Sequence, residues 1–183
     1  MGKPLQTQWP FLQRIRYMIF LTVGTQLPFD RLTRAMDEWC GEHAKNIKVF
    51  GQIGIIGPNS YIPQNFEWAQ KISPDDFTRR VKSATAVVGH AGMGSIITAM
   101  TFRKPTVIMA RRAHLGEHRN DHQEATLQRF KSRSGLHAVA NAVELSQQLN
   151  GILQTGQQNS GNGVPPFAEE RLIQRLSSFI HNG

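Results

Sequence analysis

Met18-Ile19-Phe20-Leu21-Thr22-Val23 carries no charge and no polar alternation, and it stops at Gly24. A strand of that kind is buried on both faces, so it needs a layer above and a layer below. Further short apolar runs follow at Ile47–Gly51, Phe66–Lys71, Ala84–Gly89, Pro105–Ala110 and Leu136–Ala140. Between them lie segments of helical period: Phe29–His43, a helix opening at Ser73-Pro74 with Ser73 as N-cap, Ser95–Phe102, Arg119–Ser132 and Ala142–Leu149. Strands alternating with helices imply right-handed crossovers and an α/β fold, a Rossmann-like parallel sheet with helices on both faces. Ligands of such sheets bind beyond the carboxyl ends of the strands, here the loops after Val23, Val88 and Met109.

The organisation expected is a basic and apolar arm over residues 1–17, a domain over 18–150, a linker over 151–166 and an amphipathic helix over 167–183. The linker rests on Gly, Gln and Asn content. The helix rests on the stripe Ala168, Leu172, Leu176, Phe179 and Ile180. With 39% hydrophobic residues the chain can build a core, and its single Cys40 excludes a disulfide scaffold or a cysteine zinc finger. The apolar run at Tyr17–Gly24 is too short to span a bilayer, and no secretory signal pattern is legible, so a cytoplasmic setting is expected.

The chain has 21 Lys and Arg against 13 Asp and Glu, a net charge of +8. The excess is local. Residues 1–17 hold Lys3, Arg14 and Arg16 and no acid, and residues 103–133 hold eight bases against Glu117, Asp121 and Glu124, a net +5. Two basic segments on a neutral body suggest an anionic partner such as a phosphate ligand, an anionic lipid surface or a nucleic acid. Nucleic acid is disfavoured because the bases are not interleaved with exposed aromatics and no recognition motif is present.

Three segments carry candidate chemistry. Gly24-Thr25-Gln26 follows the first strand, where a glycine lets the backbone turn and approach a ligand. Gly89-His90-Ala91-Gly92-Met93-Gly94-Ser95 joins a strand to a helix, and such a loop offers an anion cradle of main-chain N–H groups. It lacks the Lys of a phosphate-binding loop and the third glycine of a dinucleotide fingerprint, which lowers a nicotinamide oxidoreductase. Ser95 is either helix N-cap or phosphate ligand, and His90 either a packed histidine or a ligand. Arg111-Arg112 through Glu124 supplies arginines for phosphate or carboxylate and Asp, Gln and Glu for sugar hydroxyls. His114, His118 and His122, four apart, leave a zinc site as an alternative, although Gly116 interrupts the helix it needs.

Met18–Asp30 (MIFLTVGTQLPFD), His90–Ile97 (HAGMGSII), Lys104-Pro105 and Asn120–Gln123 (NDHQ), in this order, resemble the C-terminal half of the family 28 glycosyltransferases. They are most similar to its small free-standing subunits, found in bacterial exopolysaccharide synthesis and in the eukaryotic dolichol-linked UDP-N-acetylglucosamine transferase. The resemblance implies one half of a GT-B fold that holds a UDP-sugar, with a membrane-anchored partner subunit supplying the lipid-linked saccharide acceptor. By resemblance, Gly24 and Thr25 border the diphosphate, Gly92, Met93, Gly94 and Ser95 hold uridine and diphosphate, and Asp121 and Gln123 contact the sugar. Many relatives have Glu for ribose where this chain has Thr98.

The implied reaction is an inverting displacement of UDP, with His90 the local candidate for general base and Arg111 and Arg112 candidate partners of a glucuronate carboxylate. No cofactor is implied, and no metal is required if N–H groups and arginines neutralise the diphosphate. The expected location is peripheral, on the inner face of the plasma membrane and against its anionic surface, with no nucleic-acid partner. A non-catalytic or nucleic-acid-binding Rossmann-like module is the alternative.

Overall fold

The uncharged run becomes the centre of the sheet. In the computed structural model, which describes residues 17–43, 46–130 and 132–155, it forms β1 (Tyr17–Thr22). The chain continues as α1 (Asp30–His43), β2 (Ile47–Gln52), β3 (Glu67–Ala69), α2 (Pro74–Ser83) and β4 (Ala86–His90). It then runs through α3 (Met93–Thr101), β5 (Thr106–Met109), a single 3-10 turn at Ala113–Leu115, α4 (His122–Phe130), β6 (Leu136–Val139) and α5 (Ala142–Thr155). All pairings are parallel and the strand order is β3-β2-β1-β4-β5-β6. The order reverses between β1 and β4, where Thr22 stands opposite Gly89, and a crevice opens at such a switch point.

Alternate residues of the inner strands serve opposite layers. Ile19, Leu21, Val88, Val107 and Met109 pack with Leu32, Met36 and Trp39 of α1 and Leu145, Leu149 and Ile152 of α5. Phe20 and Val87 face the other way, onto Val81 of α2 and Ala99 of α3, and Ile108 meets Ile96 and Met100 of α3 beside Leu127 of α4. Helices therefore cover both faces, as the double burial of β1 demands. At the start of α2, Ser73 Oγ accepts the Asp76 N–H at 3.2 Å, which confirms the expected cap.

Three boundaries differ from expectation. The predicted linker is still helix to Thr155, because Leu145, Leu149 and Ile152 keep one buried stripe through Gly151, and this apolar spacing outweighs the polar composition. The third strand shrinks to Glu67–Ala69 at the sheet edge, where a single neighbour supports it. The helix expected over 119–132 is confined to His122–Phe130. Of the expected arm (1–17), Tyr17 instead opens β1 and residues 1–16 lie outside the described residues, as do 156–166 of the expected linker and the expected C-terminal helix (167–183).

Candidate functional site

A cleft of about 270 Å³ opens at the switch point, between the loops that leave β1, β4 and β5. Its floor is His90, the last residue of β4. The imidazole is wedged between the two glycine turns. A Cβ on Gly24 would stand 3.1 Å from its Cε1, and a Cβ on Gly92 would stand 2.2 Å from its Nε2. Gly24 also has φ +85°, a backbone that side chains resist, so two separate reasons place glycine there. His90 Nδ1 lies 3.5 Å from the Thr22 carbonyl, which can only accept, so the proton belongs on Nδ1 and Nε2 is bare. Burial, then the charge of Arg111, push the His90 pKa down to about 4. With that pKa the ring is neutral at pH 7 and a weak proton acceptor.

Helix α3 begins beside this ring. Its N-cap is Gly92, with no side-chain cap, which removes the N-cap alternative for Ser95. The His90 ring takes the room that a side chain at position 92 would occupy, so the cap is a glycine. Among the described residues no acceptor engages the N–H groups of Met93, Gly94 and Ser95, so the first turn of α3 presents free donors and the positive end of its dipole. Gly92, Gly94 and Ser95 line the cleft, and a Cβ on Gly94 would meet nothing within 4 Å.

The opposite wall comes from the loop after β5. Arg111 is 2% exposed. Its guanidinium donates to the carbonyls of Val23 and Leu27 at 2.8 Å each, to that of Pro28, and to that of Glu117 at 3.2 Å. Burial lowers its pKa to about 10, and it remains a cation at neutral pH. Arg111 is thus committed to shaping the Gly24–Pro28 loop, which corrects the expectation that it meets a donor carboxylate. It still places a fixed positive charge beneath the cleft. Gln123 Oε1 accepts the Arg111 N–H at 3.1 Å, which leaves the Gln123 amide NH₂ for the cleft.

A half-buried ion pair holds this wall. Glu117 bridges Arg31 Nε and Nη2 at 2.8 Å each and accepts the Arg112 N–H at 2.8 Å. Arg31 also donates to Ala110 O and Ala140 O, joining the loops after β5 and β6. Burial pushes the Glu117 carboxyl up, but the Arg31 bonds and the Arg112 N–H outweigh it and hold the pKa below the ordinary value.

Of the sequence-predicted residues, the structure brings Gly24, Thr25, His90, Gly92, Gly94, Ser95, Arg111 and Gln123 around one cleft. Met93, Thr98 and Asp121 are not on its lining. The Met93 side chain is exposed, and the Thr98 hydroxyl donates back to Gly94 O at 2.8 Å, which a residue on the far side of the first helical turn does readily. Asp121 Oδ1 caps the Ala113 N–H at 2.8 Å instead of entering the cleft. Arg112 turns to Glu124, 3.7 Å away, outside this cleft.

Sequence reasoning did not assign Gln26, Leu27 or His118, which also line it. His118 was legible only as one of three spaced histidines. That zinc alternative fails because Gly116, at φ +69°, ends the turn holding His114, and His118 lies in the loop before α4. Among the described residues no group of three His, Cys, Asp or Glu side chains is placed to hold a metal.

Comparison with known proteins agrees with this architecture. The UDP-N-acetylglucosamine transferase subunit ALG13 of Eremothecium gossypii is 30% identical over 99 residues, which cover 54% of this chain and 45% of that protein. The match therefore spans about half the length of that relative. The NMR structure of ALG13 superposes with a TM-score of 0.51 at 16% identity, over 87% of this chain and 94% of that one. A glycosyltransferase of kitacinnamycin superposes at 0.59 with 17% identity, over 99% of this chain but only 43% of that structure, as half of a GT-B molecule does. At these identities the structural likeness carries the fold alone. The model of the glycosyltransferase family 28 C-terminal domain matches residues 18–173, and the chain belongs to that family.

Proposed function

We propose that this chain is the donor-binding half of an inverting UDP-sugar glycosyltransferase, active together with a partner subunit that binds the acceptor. The observation that carries this reading is the cleft at the β1/β4 switch point. Two glycine turns, the unengaged N–H groups of Gly94 and Ser95 and the buried Arg111 cation converge there, and among the described residues no carboxylate is on the lining. That combination suits a diphosphate. An acceptor hydroxyl attacks the anomeric carbon opposite the leaving UDP. The α3 N–H groups and the Arg111 charge stabilise the negative charge that grows on the departing diphosphate. In this reading they do so without a metal, and turnover persists in a chelator.

His90 stays neutral and keeps the two glycine turns apart, so the base that takes the hydroxyl proton comes from the acceptor half. The acceptor is a polyprenyl-diphosphate-linked saccharide in exopolysaccharide synthesis, and the chain works at the cytoplasmic face of an anionic membrane. Among the described residues the cleft offers no unpaired arginine to a sugar carboxylate, so the specific argument for UDP-glucuronate falls away. UDP-N-acetylglucosamine, the donor in the relative's name, becomes the first to test.

The test is Gly94→Leu. Its Cβ meets no protein atom within 4 Å, so the fold persists while the side chain stands in the path of the phosphates. Calorimetry should show UDP binding to the parent chain and a loss of at least tenfold in the variant. Equal UDP affinity in both would overturn the site assignment. Transfer from UDP-N-acetylglucosamine and UDP-glucuronate, assayed with co-purified membranes, then identifies the sugar.

A further inference from the structure

The +5 segment does not stay together in space. Arg112 and Arg119 follow β5 at the cleft end of the sheet, whereas Arg103, Lys104, Arg129 and Arg133 lie at the other end, where α3 and α4 finish. Helix α2 finishes there too, with Lys82 in its last turn. These ends adjoin. Lys82 Nζ stands 5.1 Å from the centre of the Phe102 ring just after α3. Thr106, which follows Lys104-Pro105, donates its N–H to Gly135 O at 2.8 Å in the turn after Arg133.

No Asp or Glu occurs in residues 77–84, 99–106 or 128–136. Among the described residues, none of the five cations pairs with a carboxylate. Cations at helix carboxyl ends offset the helix dipole. That effect does not explain why three ends meet with no acid between them. Arg103 adds a second sign: it holds φ +52°, the left-handed position after a helix that glycine or asparagine takes at least cost.

We propose that this end of the sheet, formed by Lys82, Arg103, Lys104, Arg129 and Arg133, docks on the phosphate headgroups of an anionic bilayer. The inference deepens the membrane association proposed above by assigning it a face. β1 begins at this same end, and the sequence before it, residues 1–16, has Lys3, Arg14 and Arg16 and no acid. A nucleic acid is the weaker fit. Phe102 and Phe130 pack into the core clusters, and none of the exposed large apolar side chains among the described residues is aromatic, so bases find no stacking platform.

The experiment is co-sedimentation of the full chain with vesicles of phosphatidylcholine alone or mixed with phosphatidylglycerol. The parent is compared with Lys82→Gln/Arg129→Gln/Arg133→Gln and with a control of equal charge away from this end, Arg34→Gln/Lys71→Gln/Arg119→Gln. Each cation at an anionic surface is worth about fivefold in partition, so the patch variant should bind mixed vesicles roughly 100-fold more weakly, with the control close to the parent. Equal binding to neutral vesicles, an equal loss in the control, or an oligonucleotide that binds the patch in place of mixed vesicles overturns the proposal. UDP calorimetry on the same proteins separates the two readings. Intact UDP binding without vesicle binding refutes only the docking face.

Discussion

Gly92→Ala tests the packing of the cleft floor directly. The added methyl would lie 2.2 Å from His90 Nε2, 2.8 Å from Cε1 and 2.9 Å from Cδ2. Ordinary carbon contacts are about 3.5 Å or more, so the ring must withdraw by about 1 Å. Its retreat is closed on the far side by Gly24, and the Thr22 carbonyl holds Nδ1 from below. The ring must break that bond or swing into the cleft. Overpacking of this kind costs about 1–3 kcal/mol. Replacing glycine by alanine at a helix cap adds about 0.5 kcal/mol that has nothing to do with the ring.

The discriminating assay is a double-mutant cycle by urea unfolding. Gly92→Ala is measured in the parent and in His90→Ala, where no ring remains to be struck. The substitution should cost ~1–3 kcal/mol more in the parent background. UDP affinity should fall in the parent background as well, because the displaced ring obstructs the cleft. A cost that agrees in the two backgrounds to within ~0.5 kcal/mol would show that the ring and glycine do not constrain one another.

Three further outcomes are expected. Because the folded pKa of His90 lies near 4, below the ordinary 6.5, the unfolded chain takes up the proton first. Stability should therefore decline from pH 6.5 to about pH 4, by up to about 3 kcal/mol, and His90→Gln should flatten that part of the profile in pH-dependent urea titrations. Glu117→Gln should cost ~2–3 kcal/mol in unfolding free energy and weaken UDP binding by loosening the Arg111 loop; an unchanged denaturation midpoint would remove the clamp from the account. Asp37, on α1, is buried and accepts the Tyr61 hydroxyl at 2.6 Å and the N–H groups of Gln64 and Asn65. Burial pushes its carboxyl up, but these bonds outweigh it, so its stabilisation is complete above the ordinary carboxylate range and disappears as the pH falls through the lower folded pKa. Asp37→Asn should remove that acid-dependent loss and speed hydrogen exchange in residues 61–65; unaltered exchange would mean that the loop does not depend on Asp37.

Much of the architecture is readable in residue order because its causes are local. An uncharged run ended by glycine is a buried strand, a period near 3.6 is a helix, and Ser73-Pro74 is a cap wherever it occurs. The same reasoning places Gly24 and the Gly89–Ser95 loop at one rim, and hence the cleft between them. It erred where composition competed with spacing, as at Gly151–Thr155, and it set the start of α3 at Ser95 where the helix begins at Met93.

The role of each charge was decided only by the tertiary structure. Arg111 and Arg112 are adjacent in the chain, yet one is buried against the Val23 carbonyl 88 residues away and the other pairs with Glu124 outside the cleft. Arg31 reaches Ala140, 109 residues distant, and Asp37 is spent on a loop 24–28 residues further on. Burial and hydrogen-bond partners arise between segments that meet only on folding. Residue order therefore specified the strands, the helices and the position of the rim, while the packing of the layers determined which cations support the cleft from within and which remain on the surface.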